Sequence, residues 1–197
     1  MSQAHTASAN PMAVTNTGIP SPKLAMWLFL ASEVMFFAGL FAAYIILRLS
    51  NPAWPGPEGH LSVELGTFNT LMLIASSVTI VLAYAAAQDG RQAQARLFLL
   101  ITILLGTAFL GVKGYEYSVK FSHHLYPKTN IFWGCYFAMT GVHGLHVLGG
   151  VITNVWVLAK GSKGFNASNT HYLELAGLYW HFVDIVWIFL FPMLYLL

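Results

Sequence analysis

Glu33 is the acidic residue whose position most needs a chemical explanation. It follows Leu24 by nine residues in an apolar run, which is about 13 Å along a helix axis. In a membrane it would lie inside the hydrocarbon, where an ionisable side chain costs about 2.5–3.5 kcal/mol. No basic residue lies within a turn of it, so the carboxyl is expected to hold its proton or to contact water. The residues alone leave open a proton-relay group and a neutral acid hydrogen-bonded to a neighbouring helix or a lipid.

Two later segments carry polar side chains at helical spacing. Their ionisable members are His143 and His146 in the first, and Glu174, His181 and Asp184 in the second. Residues three or four apart share a helix face, so each set forms a stripe. If the two helices are antiparallel neighbours, His143 and Asp184 reach similar depth. We therefore predict an intramembrane polar network in which a hydrogen bond between histidine and aspartate satisfies both groups.

The histidines also suggest an alternative function, haem ligation, in which two imidazoles from facing helices bind iron. His143 and His146 share a face and cannot be opposed ligands of one haem, so either could pair only with His181. Polar residues commonly bridge membrane helices, which favours the network over haem. Lys113 and Glu116 lie one turn apart and predict an ion pair near the membrane interface.

Composition points to a membrane as the solvent of this chain. Of 197 residues, 57% are hydrophobic and 8% are charged, against a charged share of about 25% in soluble domains. The single cysteine, Cys135, excludes an internal disulfide and has no neighbouring zinc-ligand spacing. The net charge of +2 is scattered without any basic run, which excludes a nucleic-acid partner.

Apolar runs predict the elements that position these residues. A membrane span needs about 20 residues, and five stretches qualify: 24–47, 68–87, 97–119, 131–159 and 172–197. They predict an all-α integral membrane bundle of five transmembrane helices over residues 23–197, after a disordered tail over residues 1–22. An odd number of spans places the termini on opposite sides of the membrane.

Basic residues flanking the spans predict the orientation. The side with the N-terminus has five of them: Lys23, Arg91, Arg96, Lys160 and Lys163. The opposite side has three, or four if Lys113 is counted: Arg48, Lys120 and Lys128. The positive-inside rule then predicts a cytoplasmic N-terminus and a C-terminus on the opposite side.

Four motifs in chain order resemble a known family. They are WLFLASEVMFF at 27–37, NT at 69–70 followed by ASS at 75–77, TGVHGLHV at 140–147, and YWHFVDIVW at 179–187. Together they are similar to subunit III of the haem-copper oxidases, of which the cytochrome c oxidase form is the best example. The resemblance covers nearly everything after the tail.

The resemblance implies an accessory, non-catalytic subunit of an oxidase that reduces oxygen to water and pumps protons in the aerobic respiratory chain. Such a subunit packs on the catalytic subunit I, together with subunit II and in some cases a larger supercomplex. It has no cofactor or metal of its own, while haem and copper lie in the partners. The position matching Glu33 is associated with sustained proton uptake.

Membrane lipids are further expected partners. The family binds phospholipid in a cleft beside two N-terminal helices that this chain lacks, and an extended subunit I could supply those helices. Since the N-terminal segment has no Lys or Arg, it lacks the basic start of a presequence. This favours a multi-pass protein of a bacterial plasma membrane.

Other functions remain as alternatives. A quinol-oxidase subunit III and a homologue associated with nitric oxide reductase share the motifs, although Glu33 favours the cytochrome c type over the quinol type. A haem-binding membrane cytochrome would need iron on the isolated chain. A transporter is disfavoured because the spans show no internal repeat.

Overall fold

The structure is a computed structural model that describes residues 20–56, 61–165 and 170–196. Its long helices are α1 Ser21–Ser50, α2 Val63–Gln88, α3 Gln92–Ser122, α4 Ile131–Lys160 and α5 Thr170–Phe191. A short 3-10 turn, Gly161–Lys163, follows α4, and a π-helical turn, Pro192–Leu196, extends α5. All five helices are long and apolar enough to cross a bilayer, and the described ranges contain no strand. The predicted all-α bundle of five membrane helices is thus confirmed.

Four of the five helices, all except α4, begin earlier than the apolar runs indicated, and for α1 and α2 the local reason is visible. α1 begins at Ser21, inside the segment predicted as a tail, because proline is well suited to the first turn and Pro22 lies there. The rest of that predicted tail, 1–19, lies outside the described residues. α2 begins at Val63, where the Ser62 hydroxyl accepts a hydrogen bond from the Leu65 N–H at 3.3 Å and caps the helix. The orientation of the bundle in the membrane stays a prediction.

α5 is the element around which the others assemble. It packs against α2 and α4, while α3 packs against α2 and α4 from the other side. Trp180 and Trp187 of α5 are completely buried. Trp180 lies against Gly106 of α3 and Gly150 of α4, since only a missing side chain leaves room for the indole. Small residues therefore set the distance between these helices.

α1 lies at the edge of the bundle, mainly along α5. It buries Leu30, Phe37 and Tyr44, which recur every seven residues and form a narrow stripe along one face. The Tyr44 hydroxyl donates a hydrogen bond of 3.0 Å to the Met193 carbonyl in the π-helical turn. One apolar stripe and a few polar contacts thus hold α1, and Glu33 supplies one of them.

Candidate functional site

Glu33 of α1 pairs with His146 of α4. Its Oε2 lies 3.0 Å from Nε2 of His146. Nδ1 of the same imidazole lies 2.9 Å from the Val142 carbonyl, one turn earlier in α4. A carbonyl oxygen can only accept, so Nδ1 carries a hydrogen. A neutral imidazole with this tautomer presents a lone pair at Nε2, and a carboxylate also presents lone pairs. The short contact therefore requires one proton held between the two groups.

The surroundings of the pair are apolar on one side and open on the other. The Phe37 ring meets the imidazole edge-on at 5.1 Å, and the Tyr179 hydroxyl donates to the His146 carbonyl at 3.0 Å. Each of the paired side chains is nevertheless 19% exposed. The pair thus lies at the outer boundary between α1 and α4 and is partly exposed on the outside of the bundle. The structure brings these two predicted residues together across 113 positions of sequence.

His181 makes a separate contact on another pair of helices. Its Nδ1 lies 2.6 Å from the Ser77 hydroxyl of α2. Sequence reasoning missed Ser77 as a partner, although it lies in the ASS motif at 75–77. This contact joins α5 to α2 and does not touch Glu33 or His146.

Glu174 lies outside any intramembrane network. Its carboxylate pairs with Lys23 at 2.5 Å, and the side chains are 30% and 38% exposed. Lys23 lies in the first turn of α1, and Glu174 lies one turn after the start of α5 at Thr170. The stripe on α5 therefore runs from a half-exposed end into the core, and its first member meets a lysine instead of a histidine.

The predicted hydrogen bond between His143 and Asp184 is not formed. Both residues are buried, and neither the ring nitrogens nor the carboxyl oxygens have a hydrogen-bond partner among the described residues. Trp187 stacks on the His143 ring at 5.2 Å, and Phe109 meets it edge-on at 5.8 Å. These rings occupy the space beside the imidazole, although α4 and α5 are neighbours as expected. The expectation of one shared network is corrected accordingly.

Lys113 and Glu116 belong to a larger buried cluster. Lys113 Nζ lies 2.8 Å from Oε2 of Glu116, and Lys120 Nζ lies 2.7 Å from Oε1. Tyr136 and Tyr195 donate to Oε1 as well, at 3.0 and 2.7 Å. The three charged residues are at most 7% exposed. The pair predicted near the interface is thus part of a buried triad, and the spacing of four between Glu116 and Lys120 could have indicated its third member.

The histidines are placed in three different environments. Both ring nitrogens of His146 are hydrogen-bonded, to the Val142 carbonyl and to Glu33. Nδ1 of His181 is hydrogen-bonded to the Ser77 hydroxyl. His143 is enclosed by aromatic rings and is 1% exposed. Across the described ranges, no three His, Cys, Asp or Glu side chains are grouped in a way that could hold a metal ion. Cys135 is a free, partly buried thiol.

The fold and its contacts define a multi-pass membrane protein whose helices are joined by buried and half-buried polar pairs. A family model described as "Cytochrome c oxidase subunit III" matches residues 3–197. The chain belongs to the cytochrome c oxidase subunit III family, as the motifs indicated. A member of this family is part of a multi-subunit oxidase complex.

Curated relatives agree with this family over most of their length. "Cytochrome c oxidase subunit 3" of Thermostichus vulcanus is 40% identical over 177 residues, covering 88% of this chain and 86% of that protein. The protein of the same name from Bacillus subtilis is 35% identical over 197 residues, covering 98% and 94%. That of Corynebacterium diphtheriae is 39% identical over 171 residues, covering 85% and 83%.

Proposed function

We propose that this chain is the accessory subunit III of a proton-pumping cytochrome c oxidase in a bacterial plasma membrane. It packs on subunit I, beside subunit II, and can enter a larger respiratory supercomplex. Oxygen reduction takes place on the partners, which hold the haem and copper, and this chain has no catalytic site. The relatives described above carry the name of the cytochrome c enzyme, which favours it over the quinol oxidase and nitric oxide reductase alternatives.

The observation that carries the proposal is the pair formed by Glu33 and His146. The pair holds one proton, lies at the edge of the bundle, and contains two groups that exchange protons readily. Glu33 therefore acts as a proton reservoir beside the uptake path of the partner subunit. The role of such a reservoir is to sustain proton supply during continuous turnover.

The proposed orientation agrees with this role. α1 contains 30 residues and is about 45 Å long. Glu33 lies twelve residues after Ser21, which is about 18 Å from the N-terminal end of the helix. With a cytoplasmic N-terminus, the pair lies on the cytoplasmic side of the helix midpoint, and protons taken up by the oxidase come from that side.

Replacing Glu33 by glutamine tests the reservoir. The side-chain amide of the variant can still donate an N–H to Nε2 of His146, so the helix contact survives while the exchangeable proton is lost. The Glu33→Gln oxidase should assemble and begin turnover at the normal rate, but lose activity sooner during continuous turnover or take up protons more slowly. Oxygen-electrode traces and stopped-flow proton uptake measure these quantities.

Glu64→Gln is the matched control, because Glu64 is an exposed acid at the start of α2. It should behave as the wild type in both assays. An unchanged activity lifetime and unchanged proton uptake in Glu33→Gln would show that the carboxyl has a structural role alone.

A second experiment tests the absence of redox centres on this chain. The purified complex is separated into its subunits in mild detergent, and reduced-minus-oxidised spectra are recorded for each. Haem signals and oxygen consumption should stay with the partners, leaving this chain colourless. A haem spectrum on the isolated chain would make its histidines ligands and contradict the proposal.

A further inference from the structure

The buried triad carries an excess of positive charge. Two ammonium groups, Lys113 and Lys120, share the single carboxylate of Glu116. The two tyrosines that donate to this carboxylate are neutral hydroxyl groups and add no negative charge. The cluster therefore has a net charge of +1 in a buried position, where an uncompensated charge is strongly unfavourable.

The two lysines differ in how well they are satisfied. Lys113 donates to Glu116 and to the Tyr195 hydroxyl, and its Nζ lies 4.6 Å from the centre of the Trp187 ring. Lys120 also lies over an aromatic ring, with its Nζ 5.0 Å from the centre of the Tyr136 ring. An ammonium group has three donors, however, and within the described ranges Lys120 donates one hydrogen bond, to Glu116. The two lysines share the excess charge, and Lys120 has more unused N–H donors than Lys113.

A cavity of about 230 Å³ adjoins this lysine. Its polar lining includes Ser62, Glu116, Lys120 and His123, and its apolar lining includes Leu65 and Val119. The cavity is therefore polar at the wall formed by Glu116 and Lys120, and apolar at the walls formed by Leu65 of α2 and Val119 of α3. Glu116 also reaches the cavity, but two lysines already neutralise its charge, so the net field at this wall is positive.

The cavity lies close to the ends of two membrane helices, where lipid headgroups are expected. It is bounded by the beginning of α2 and the end of α3, and Lys120 is two residues before the end of α3 at Ser122. Two residues correspond to about 3 Å along the axis, whereas the headgroup region is about 5–7 Å thick on each side of the hydrocarbon. Basic pockets between membrane helices at this depth suit anionic lipid headgroups.

We propose that this cavity binds the phosphodiester group of a membrane phospholipid, with Lys120 as its ion-pair partner. A phosphodiester carries one negative charge, which equals the excess charge of the triad. The acyl chains leave the cavity along the apolar sides of Leu65 and Val119 and enter the surrounding lipid. Neither Glu33 nor His146 lines this cavity, so the site is separate from the proton reservoir.

Lys120→Gln tests the site in the intact oxidase complex. The substitution removes the excess charge and leaves the neutral pair of Lys113 and Glu116, so the fold should be retained. After washing in mild detergent, the variant should retain less phospholipid per complex than the wild type, as measured by native mass spectrometry. Added phosphatidylglycerol should bind about tenfold or more weakly, as expected for loss of a hydrogen bond to a charged group.

Two further variants keep the result interpretable. Lys120→Arg preserves the charge and should retain the lipid. Lys128→Gln removes an exposed lysine from the loop after α3 and should bind phosphatidylglycerol as the wild type does. Equal lipid retention and affinity in Lys120→Gln and Lys128→Gln would overturn the proposal.

The same preparation distinguishes other sources of the anion. Inorganic phosphate, added to the delipidated complex at the same concentration, should protect it against thermal unfolding less than phosphatidylglycerol does. Equal protection would mean that a free anion binds without acyl chains, and the lipid assignment would be wrong. If Lys120→Gln releases this chain from the complex without changing its phospholipid content, a carboxylate of a partner subunit occupies the site and the proposal fails.

Discussion

Replacement of Gly150 by alanine should destabilise the bundle through the Trp180 ring. A Cβ added at Gly150 would lie 2.7 Å from Cε3 and 2.8 Å from Cζ3 of Trp180, which is well inside contact distance. The indole cannot shift freely, because it is completely buried and its Nε1–H donates to the Ser76 hydroxyl at 2.9 Å. Gly106 closes the opposite edge, where an added Cβ would lie 2.5 Å from Cη2.

The expected magnitude follows from two opposing effects. Forcing an extra methyl group into a packed core costs about 1–3 kcal/mol, whereas replacing glycine by alanine within a helix gains about 1 kcal/mol. Gly144 lies in the same helix, and a Cβ added there meets nothing within 4 Å. Gly144→Ala should therefore gain helix stability without the cost of overpacking. The difference in unfolding free energy between Gly150→Ala and Gly144→Ala then measures the overlap with Trp180.

Thermal unfolding of the detergent-solubilised chain measures this difference. For a chain of this size, 1 kcal/mol corresponds to about 2–4 °C in Tm. Gly150→Ala should therefore unfold at least about 2 °C below Gly144→Ala, and Gly106→Ala should behave like Gly150→Ala. Equal Tm values for Gly150→Ala and Gly144→Ala would refute the claim that the indole is held rigidly between these helices.

Two further predictions concern polar contacts. Glu116→Gln leaves two buried ammonium groups without a carboxylate, so it should cost about 3–5 kcal/mol and lower Tm far more than Glu64→Gln at an exposed position; a similar Tm for the two variants would contradict the buried triad. Tyr44→Phe removes the hydrogen bond to Met193 and should cost about 0.6 kcal/mol, seen as faster hydrogen exchange in α1. Exchange at the wild-type rate would show that this bond does not hold α1.

The helical fold was predictable because its main cause is local. Lipid cannot hydrogen-bond backbone groups, so an apolar run of sufficient length must form a helix. The predicted start at residue 131 coincides with the start of α4 at Ile131. The start of α2 was set too late, because Val63 and Glu64 at its beginning are held by the Ser62 cap and not by apolarity.

The Glu33 site was predictable in part. Its need for a partner follows from its place in the apolar run, and this was recognised. The identity of the partner was not, because His143 and His146 share a helix face and both were assigned to the α5 side. The structure assigns His146 to Glu33 on α1 and His143 to the aromatic rings of Phe109 and Trp187.

The sequence by itself thus determined the number of membrane helices and the family. These properties depend on residue type and on spacing along one helix. The tertiary structure decided which residues pair between helices, because a rotation of a helix about its axis changes every interhelical contact without changing its own spacing. The pairing of His146 with Glu33, that of His181 with Ser77, and the cavity beside Lys120 all depend on how side chains of different bulk allow the helices to pack.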